Sequence, residues 1–195
     1  MTEAKVHQNS IVQSTRMRII EEARSLFSEY SFLGVSMADI AQKLNITKAA
    51  LYYHFASKVD LYENVLDDVF KRLSLLITEA FSEKTNAQKL KKIVNNYLEF
   101  GFSEKNLVKA LLLKFSPESS EVTERIIGLR EQISNQIYPL VSEILKEKNL
   151  AKETDSKLVT ALLLGMMDGL LLDYSLFDKE FDSEKVADQI VSILF

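Results

Sequence analysis

Between Thr47 and Phe55 the sequence reads TKAALYYHF, and its side chains suit contact with a nucleic acid duplex. In a helix, Leu51 and Phe55 fall on one face, while Lys48, Ala49, Ala50, Tyr52 and much of Tyr53 and His54 face outward. Small residues let a helix approach a major groove closely, a cation at its start meets phosphate, and phenol and imidazole groups reach phosphate oxygens. The residues upstream supply the elements that must hold this face. Ser36, with Asp39 three positions on, has the pattern of a capping box, and Ile40, Ala41 and Leu44 then recur on one side. Asn45 tolerates the left-handed backbone that ends a helix, Ile46 fills the space between helices, and Thr47 caps the second. Together these residues predict a helix-turn-helix. Any short amphipathic hairpin of helices has the same apolar spacing, so periodicity alone leaves a purely structural reading open.

The segment LYYHFASKVDLY, Leu51 to Tyr62, resembles the most recognisable stretch of the tetracycline-repressor-like (TetR/AcrR) family of bacterial transcriptional regulators, and the likeness spans Arg16 to Tyr62. The resemblance implies that Tyr52, His54 and Lys58 hold the DNA backbone, and that Met37, Lys48, Ala49, Ala50 and Tyr53 face or border the bases. Two positions depart from the family pattern, which often has glycine where this chain has Ser31 and Asn45. Asparagine serves in the turn nearly as well as glycine. Serine at the end of the first helix is less suited to a left-handed backbone, although Gly34 lies nearby.

Composition agrees with an all-α fold. The 195 residues include 5 Gly and 2 Pro, punctuation too sparse for a sheet protein, and 47% hydrophobic residues suffice for a real core. There is no cysteine, hence no disulfide framework or thiolate metal site, and MTEAKVHQNSIVQ lacks the apolar run of an export signal. The stretch Leu162 to Leu172 contains Asp168 and is too short to cross a bilayer, so a cytoplasmic protein with no membrane partner is expected. Net charge is −4, yet residues 1–60 carry +1 and the remainder −5, which keeps most of the acid away from the DNA-reading end. So small a module makes few phosphate contacts, and two copies are expected to act together.

The chain divides into a flexible tail over 1–15 with room for a basic arm, a DNA-binding domain over 16–62, and a helical ligand-binding and dimerisation domain over 63–195. Arg16 to Tyr30 reads as a first helix with Ile20, Ala23, Leu26, Phe27 and Tyr30 inward. A long helix from Lys58 to about Glu83 joins the domains, so its tilt would move the DNA reader. Further helices are expected over Ala87 to Phe102, Lys105 to Phe115 and Glu118 to Lys148, after a capped turn at Ser116 and Pro117. Pro139 should kink or break the third of these. Thr154 is expected to cap a helix to Leu176, and Ser183 with Glu184 to open the last one.

In that penultimate helix Leu158, Leu162, Gly165, Met166, Gly169 and Leu172 form an apolar face with two glycines four apart. Each glycine costs a helix about 0.8–1 kcal/mol relative to alanine, which suggests close backbone packing. Such packing could be internal. With Val186, Ile190, Ile193 and Leu194 of the last helix it would also suit a four-helix contact between subunits, where the family resemblance places a homodimer interface.

The remaining aromatic residues could pack a core or line a cavity for a small hydrophobic effector, which the family resemblance implies. Candidate ligand contacts are Phe70, Asn96, Tyr97, Phe100, Ala110, Phe115, Asn135, Tyr138 and Asp168. If buried, Asp168 needs a partner, a proton or a cationic ligand. Nothing suggests catalysis or a cofactor: the two histidines, His7 and His54, have no nucleophile or second metal ligand at a meaningful spacing, and no phosphate-binding glycine loop is present. The resulting expectation is a homodimeric repressor that binds a palindromic operator and is released by a small molecule. A packing module without DNA function and a helical enzyme remain the competing classes.

Overall fold

The computed structural model describes residues 3–113, 120–177 and 182–194, with side chains described from residue 13 onward except 110–113 and 120. These residues form helices α1 (Glu3–Gly34), α2 (Met37–Lys43), α3 (Lys48–His54), α4 (Lys58–Ala80), α5 (Asn86–Ser103), α6 (Lys105–Leu113), α7 (Ser120–Glu147), α8 (Ser156–Phe177) and α9 (Ser183–Leu194). The expected turn at Ser116 and Pro117 lies outside the described residues.

Local chemistry sets the amino-terminal boundaries. Ser36 Oγ accepts from the Asp39 backbone N–H at 3.2 Å while Asp39 Oδ2 accepts from the Ser36 backbone N–H at 2.8 Å, closing the capping box of α2. The Ser36 hydroxyl also donates to Asp39 Oδ2 at 2.6 Å, and that bond above all, with the one from the Ser36 backbone N–H, lowers the Asp39 pKa. Asn45 adopts φ 54°, and the Ile46 N–H reaches back to the Ala41 carbonyl at 3.0 Å, so the turn ends α2 as a Schellman motif with asparagine in the glycine position. Thr47 caps α3 and Ser57 caps α4, each through its hydroxyl oxygen.

The first helix differs from expectation at its start, where the backbone is already helical at Glu3 in place of a flexible tail, and breaks at Ser31 (φ 64°, ψ 170°), where it was expected to end. Its buried stripe runs through Ile19, Ala23, Phe27 and Ser31. Spacing of four puts position 31 on that stripe and leaves Tyr30 exposed.

Two cores meet along α4. Ile19, Phe27, Ile40, Leu51, Phe55 and Leu61 belong to the amino-terminal core, which also takes in Val122 and Leu129 of α7. Leu73, Ile77 and Ala80 of the same α4 pack into the second core with α5, α7, α8 and α9, and Phe70 touches both. The α4 rod therefore ends at Ala80, earlier than expected, yet spans both domains. Farther along, α7 runs through Pro139 without ending. Asp155 rather than Thr154 caps α8, accepting from the Lys157 N–H at 2.8 Å, while α9 opens at Ser183 as expected, with Asp182 accepting from the Lys185 N–H at 3.0 Å.

By length and composition the whole of α8, longer than the 162–172 stretch singled out in the sequence, is apolar enough to cross a membrane. Its Val159, Leu163, Met167 and Leu171 are instead buried in the second core, the position of a core helix in a globular domain.

Candidate DNA-reading face and helical cavity

Fully buried Leu51 and nearly buried Phe55 fix α3 from behind. On the opposite side Lys48, Ala49, Ala50, Tyr52 and Tyr53 are exposed, Tyr53 to 76%. His54 is half-buried, and its ring meets the Tyr53 ring edge-on at 5.1 Å. The face read from sequence is thus assembled on one helix.

Two residues assigned to DNA through the family likeness are placed differently. Met37 is only 7% exposed and packs in the amino-terminal core, because the first turn of α2 points it inward. The Lys58 ammonium donates to the Phe32 carbonyl at 2.9 Å and the Val35 carbonyl at 3.0 Å, and lies 4.3 Å from the centre of the Phe32 ring. Burial lowers its pKa. Lys58 ties the α1–α2 connection to the start of α4, satisfying carbonyls left open by the break at Ser31. Arg16 has a comparable part that sequence reasoning missed: its guanidinium stacks over Phe55 at 4.6 Å and donates to Asn64 Oδ1 at 2.8 Å. Asn64 in turn donates to the Asp60 carbonyl. Such contacts join positions dozens of residues apart, so no local spacing announces them.

A cavity of about 110 Å³ lies among α4, α5, α6, α7 and α8. Of the residues expected to contact a ligand, Phe70, Tyr97, Phe100 and Asp168 line it. Asn96 does not: buried on α5, it donates to the Leu76 carbonyl of α4 at 2.8 Å and holds two helices together. Asn135 is exposed and half-buried Tyr138 lies away from this lining. The Ala110 side chain and Phe115 lie outside the described residues.

The cavity wall is mostly apolar, with one polar cluster on α5, α7 and α8. There the Tyr97 hydroxyl donates to Asp168 Oδ1 at 2.6 Å, and Arg130 of α7 pairs with Asp168 Oδ2. Burial above all, then the neighbouring Asp168 charge, pushes the Tyr97 pKa well above the usual phenol value, so its proton stays in place as a donor. Arg130 and Glu104 are lining residues that the sequence did not single out. Glu104 accepts from Arg24 of α1 at 2.8 Å, which links the cavity's α5–α6 corner to the amino-terminal domain. A larger cleft of about 500 Å³ lies beside this ion pair, lined mainly by polar side chains such as Glu21, Ser25 and Asn106.

The outer side of α8 and α9 carries the expected apolar face in part. Leu158, Leu162 and Ile193 are exposed, the last to 76%. Gly165 and Gly169 are also exposed, and a Cβ added to either would meet nothing within 4 Å. Internal packing therefore does not account for them. Ile190 is buried in this chain's own core and so leaves the expected interface set, while Met166, Leu172, Val186 and Leu194 are half-buried. At Gly101 of α5, by contrast, a Cβ would overlap the Leu171 side chain, which would have to move.

Comparison with known proteins agrees with this architecture. The model for bacterial regulatory proteins of the tetR family matches residues 19–65, and that for the tetracyclin repressor-like C-terminal domain matches residues 83–195. The Transposon Tn10 TetC protein of Escherichia coli is 30% identical over 168 residues, 84% of this chain and 81% of that protein. IcaR of Staphylococcus aureus, the HTH-type negative transcriptional regulator of the biofilm operon icaADBC, is 26% identical over 148 residues, 75% of this chain and 78% of its own length. The fold is shared with the transcriptional regulator FadR from Bacillus subtilis in complex with stearoyl-CoA, at a TM-score of 0.79 and 16% identity over 91% of this chain and 96% of that one. The two matched regions take in the exposed α3 and almost every helix behind it, and the chain belongs to the tetR family of bacterial regulatory proteins, a DNA-binding transcriptional regulator and not an enzyme.

Proposed function

We propose that the protein is a homodimeric repressor that reads a palindromic operator with two copies of α3 and is released when a small hydrophobic molecule occupies the cavity between α4 and α8. The carrying observation is the two-sided α3: Leu51 and Phe55 lock it to the core, and Lys48 to Tyr53 otherwise present a cationic, small and aromatic face to solvent. Lys48, Tyr52 and His54 contact phosphates, and Ala49, Ala50 and Tyr53 approach base edges. Repression is favoured over activation because IcaR is a negative regulator. The protein works in the cytoplasm, beside the DNA it reads.

Exposed Gly165 and Gly169 support dimerisation through α8 and α9. Their cost to the helix has no return within one protomer, whereas a second α8 crossing at that point could approach closely over the missing side chains. Leu158, Leu162 and Ile193 would be covered by the same contact.

Release follows from α4, which lines the cavity through Val69, Phe70 and Leu73 and enters the amino-terminal core through Leu61 and Leu66. A guest that favours one tilt of this rod changes the spacing of the two readers. Moving a balanced pair of states to about 99:1 takes on the order of 2.7 kcal/mol of differential affinity, and operator DNA must weaken effector binding by the same factor. Selection of bound duplexes from random DNA tests the DNA-reading assignment: an inverted repeat should emerge, whereas recovery of unrelated sequences rules it out.

A further inference from the structure

We infer that the cavity takes a small lipophilic cation, whose positive charge replaces the Arg130 guanidinium beside the Asp168 carboxylate. The inference rests on the effector role proposed for this cavity and adds the chemical class of its guest. A charged guest must exchange with one member of this partly buried pair, since an extra unpaired charge in a mostly apolar wall is strongly disfavoured. The two members differ in how easily they leave. Asp168 has a short side chain that is 19% exposed, sits between the buried turns of Leu164 and Leu171, and is held at 2.6 Å by the Tyr97 hydroxyl. The Arg130 side chain is 46% exposed and long enough to turn into water.

A cation that displaces Arg130 therefore meets a carboxylate already oriented, with the Phe70 and Phe100 rings in the same lining to face its charge and carbon skeleton. A carboxylate guest on Arg130 would instead leave Asp168 with Tyr97 alone, in a lining that also contains Glu104. Arg24 is held by Glu104, so it supplies no spare cation to an anionic guest.

Hexylammonium, hexanol and hexanoate share one chain and differ in charge. They suit a cavity of about 110 Å³ whose Arg130 side chain is 46% exposed; an enclosed cavity of roughly 150 Å³ takes up benzene. Binding of each to the full-length protein is measured by calorimetry at neutral pH, with operator affinity measured in parallel. Hexylammonium should bind about tenfold or more tighter than hexanol, the ratio expected of one charge-assisted contact, and hexanoate weaker than both. Asp168→Asn should bring the ammonium-to-alcohol ratio to about one, and Arg130→Gln should hold or raise it, because the competing internal cation is gone. The ratio is read only for variants whose melting shows a folded protein, and the Arg130 arm keeps the test decisive if Asp168→Asn does not fold.

Tighter binding of hexanoate or stearoyl-CoA, an unchanged ratio in Asp168→Asn, loss of hexylammonium binding in Arg130→Gln, or no hexylammonium binding at all overturns the inference. Hexanol that binds and weakens operator affinity without any ammonium preference overturns the charge class and leaves the effector role of the cavity standing. Ammonium-selective binding that leaves operator affinity untouched supports the charge class and removes the effector role.

Discussion

Helices α3 and α8 both leave one side uncovered, but with opposite chemistry. On α3 the uncovered side carries Lys48, two alanines and two tyrosines over a single buried residue, Leu51. On α8 it carries Leu158 and Leu162 around two glycines with open space above them, over a mostly apolar inner side. A face that meets a hydrated polyanion keeps polar tips and exchanges water for phosphate. A face that meets another protein helix can be apolar and bare, since close backbone approach and burial supply its energy. Exposure alone thus says little about function; the side chains left on the exposed side distinguish the two partners.

The strongest way to break this comparison is to fill the bare face. Gly165→Leu or Gly169→Leu meets no obstacle inside the protomer but blocks a second helix, so light scattering should show monomers. Operator affinity should fall by about 10²- to 10⁴-fold as the two half-sites lose their linkage. Wild-type dimers in both variants would assign the glycines another role.

A second, smaller effect separates the face of α3 from its support. Lys58→Ala removes the donor shared by the Phe32 and Val35 carbonyls and should cost about 2 kcal/mol of stability in denaturant titrations, with the salt dependence of DNA binding unchanged. Lys48→Ala, on the exposed face, should do the reverse: stability stays near wild type while the slope of log affinity against log salt falls by roughly one unit. If Lys58→Ala reduces the slope and Lys48→Ala does not, the two assignments are exchanged. The smallest effect concerns Ser31, whose φ of 64° and ψ of 170° suit glycine. Ser31→Gly should raise stability by about 1 kcal/mol and leave both faces unaltered, as thermal melting and operator titration would show.

Much of the DNA-reading end was legible because its signals are local. Ser36 and Asp39, Asn45, Thr47 and the Leu51–Phe55 spacing each act within a few residues, and each feature formed as read. Lys58 and Met37 were placed by likeness to a family, and their surroundings here depend on Phe32, Val35 and the path of α1. The cavity was harder to read, since aromatic residues at helical spacing look alike whether they line space or fill it. Phe70, Tyr97, Phe100 and Asp168 converge on it. Asn96 and Asn135 do not, because one caps a carbonyl on a neighbouring helix and the other faces water. Asp168 signalled that a partner was needed, but Arg130 sits on another helix and only packing brings them together.

Operator stoichiometry tests the central claim most directly. Duplexes selected from random DNA are titrated with the protein, and the mass of each complex is measured by light scattering together with the footprint on the DNA. The account predicts an inverted repeat protected on both half-sites by two protomers, with binding lost when either half-site is scrambled. One protomer bound to an unrepeated site with full affinity, or equal affinity for every duplex, would contradict it.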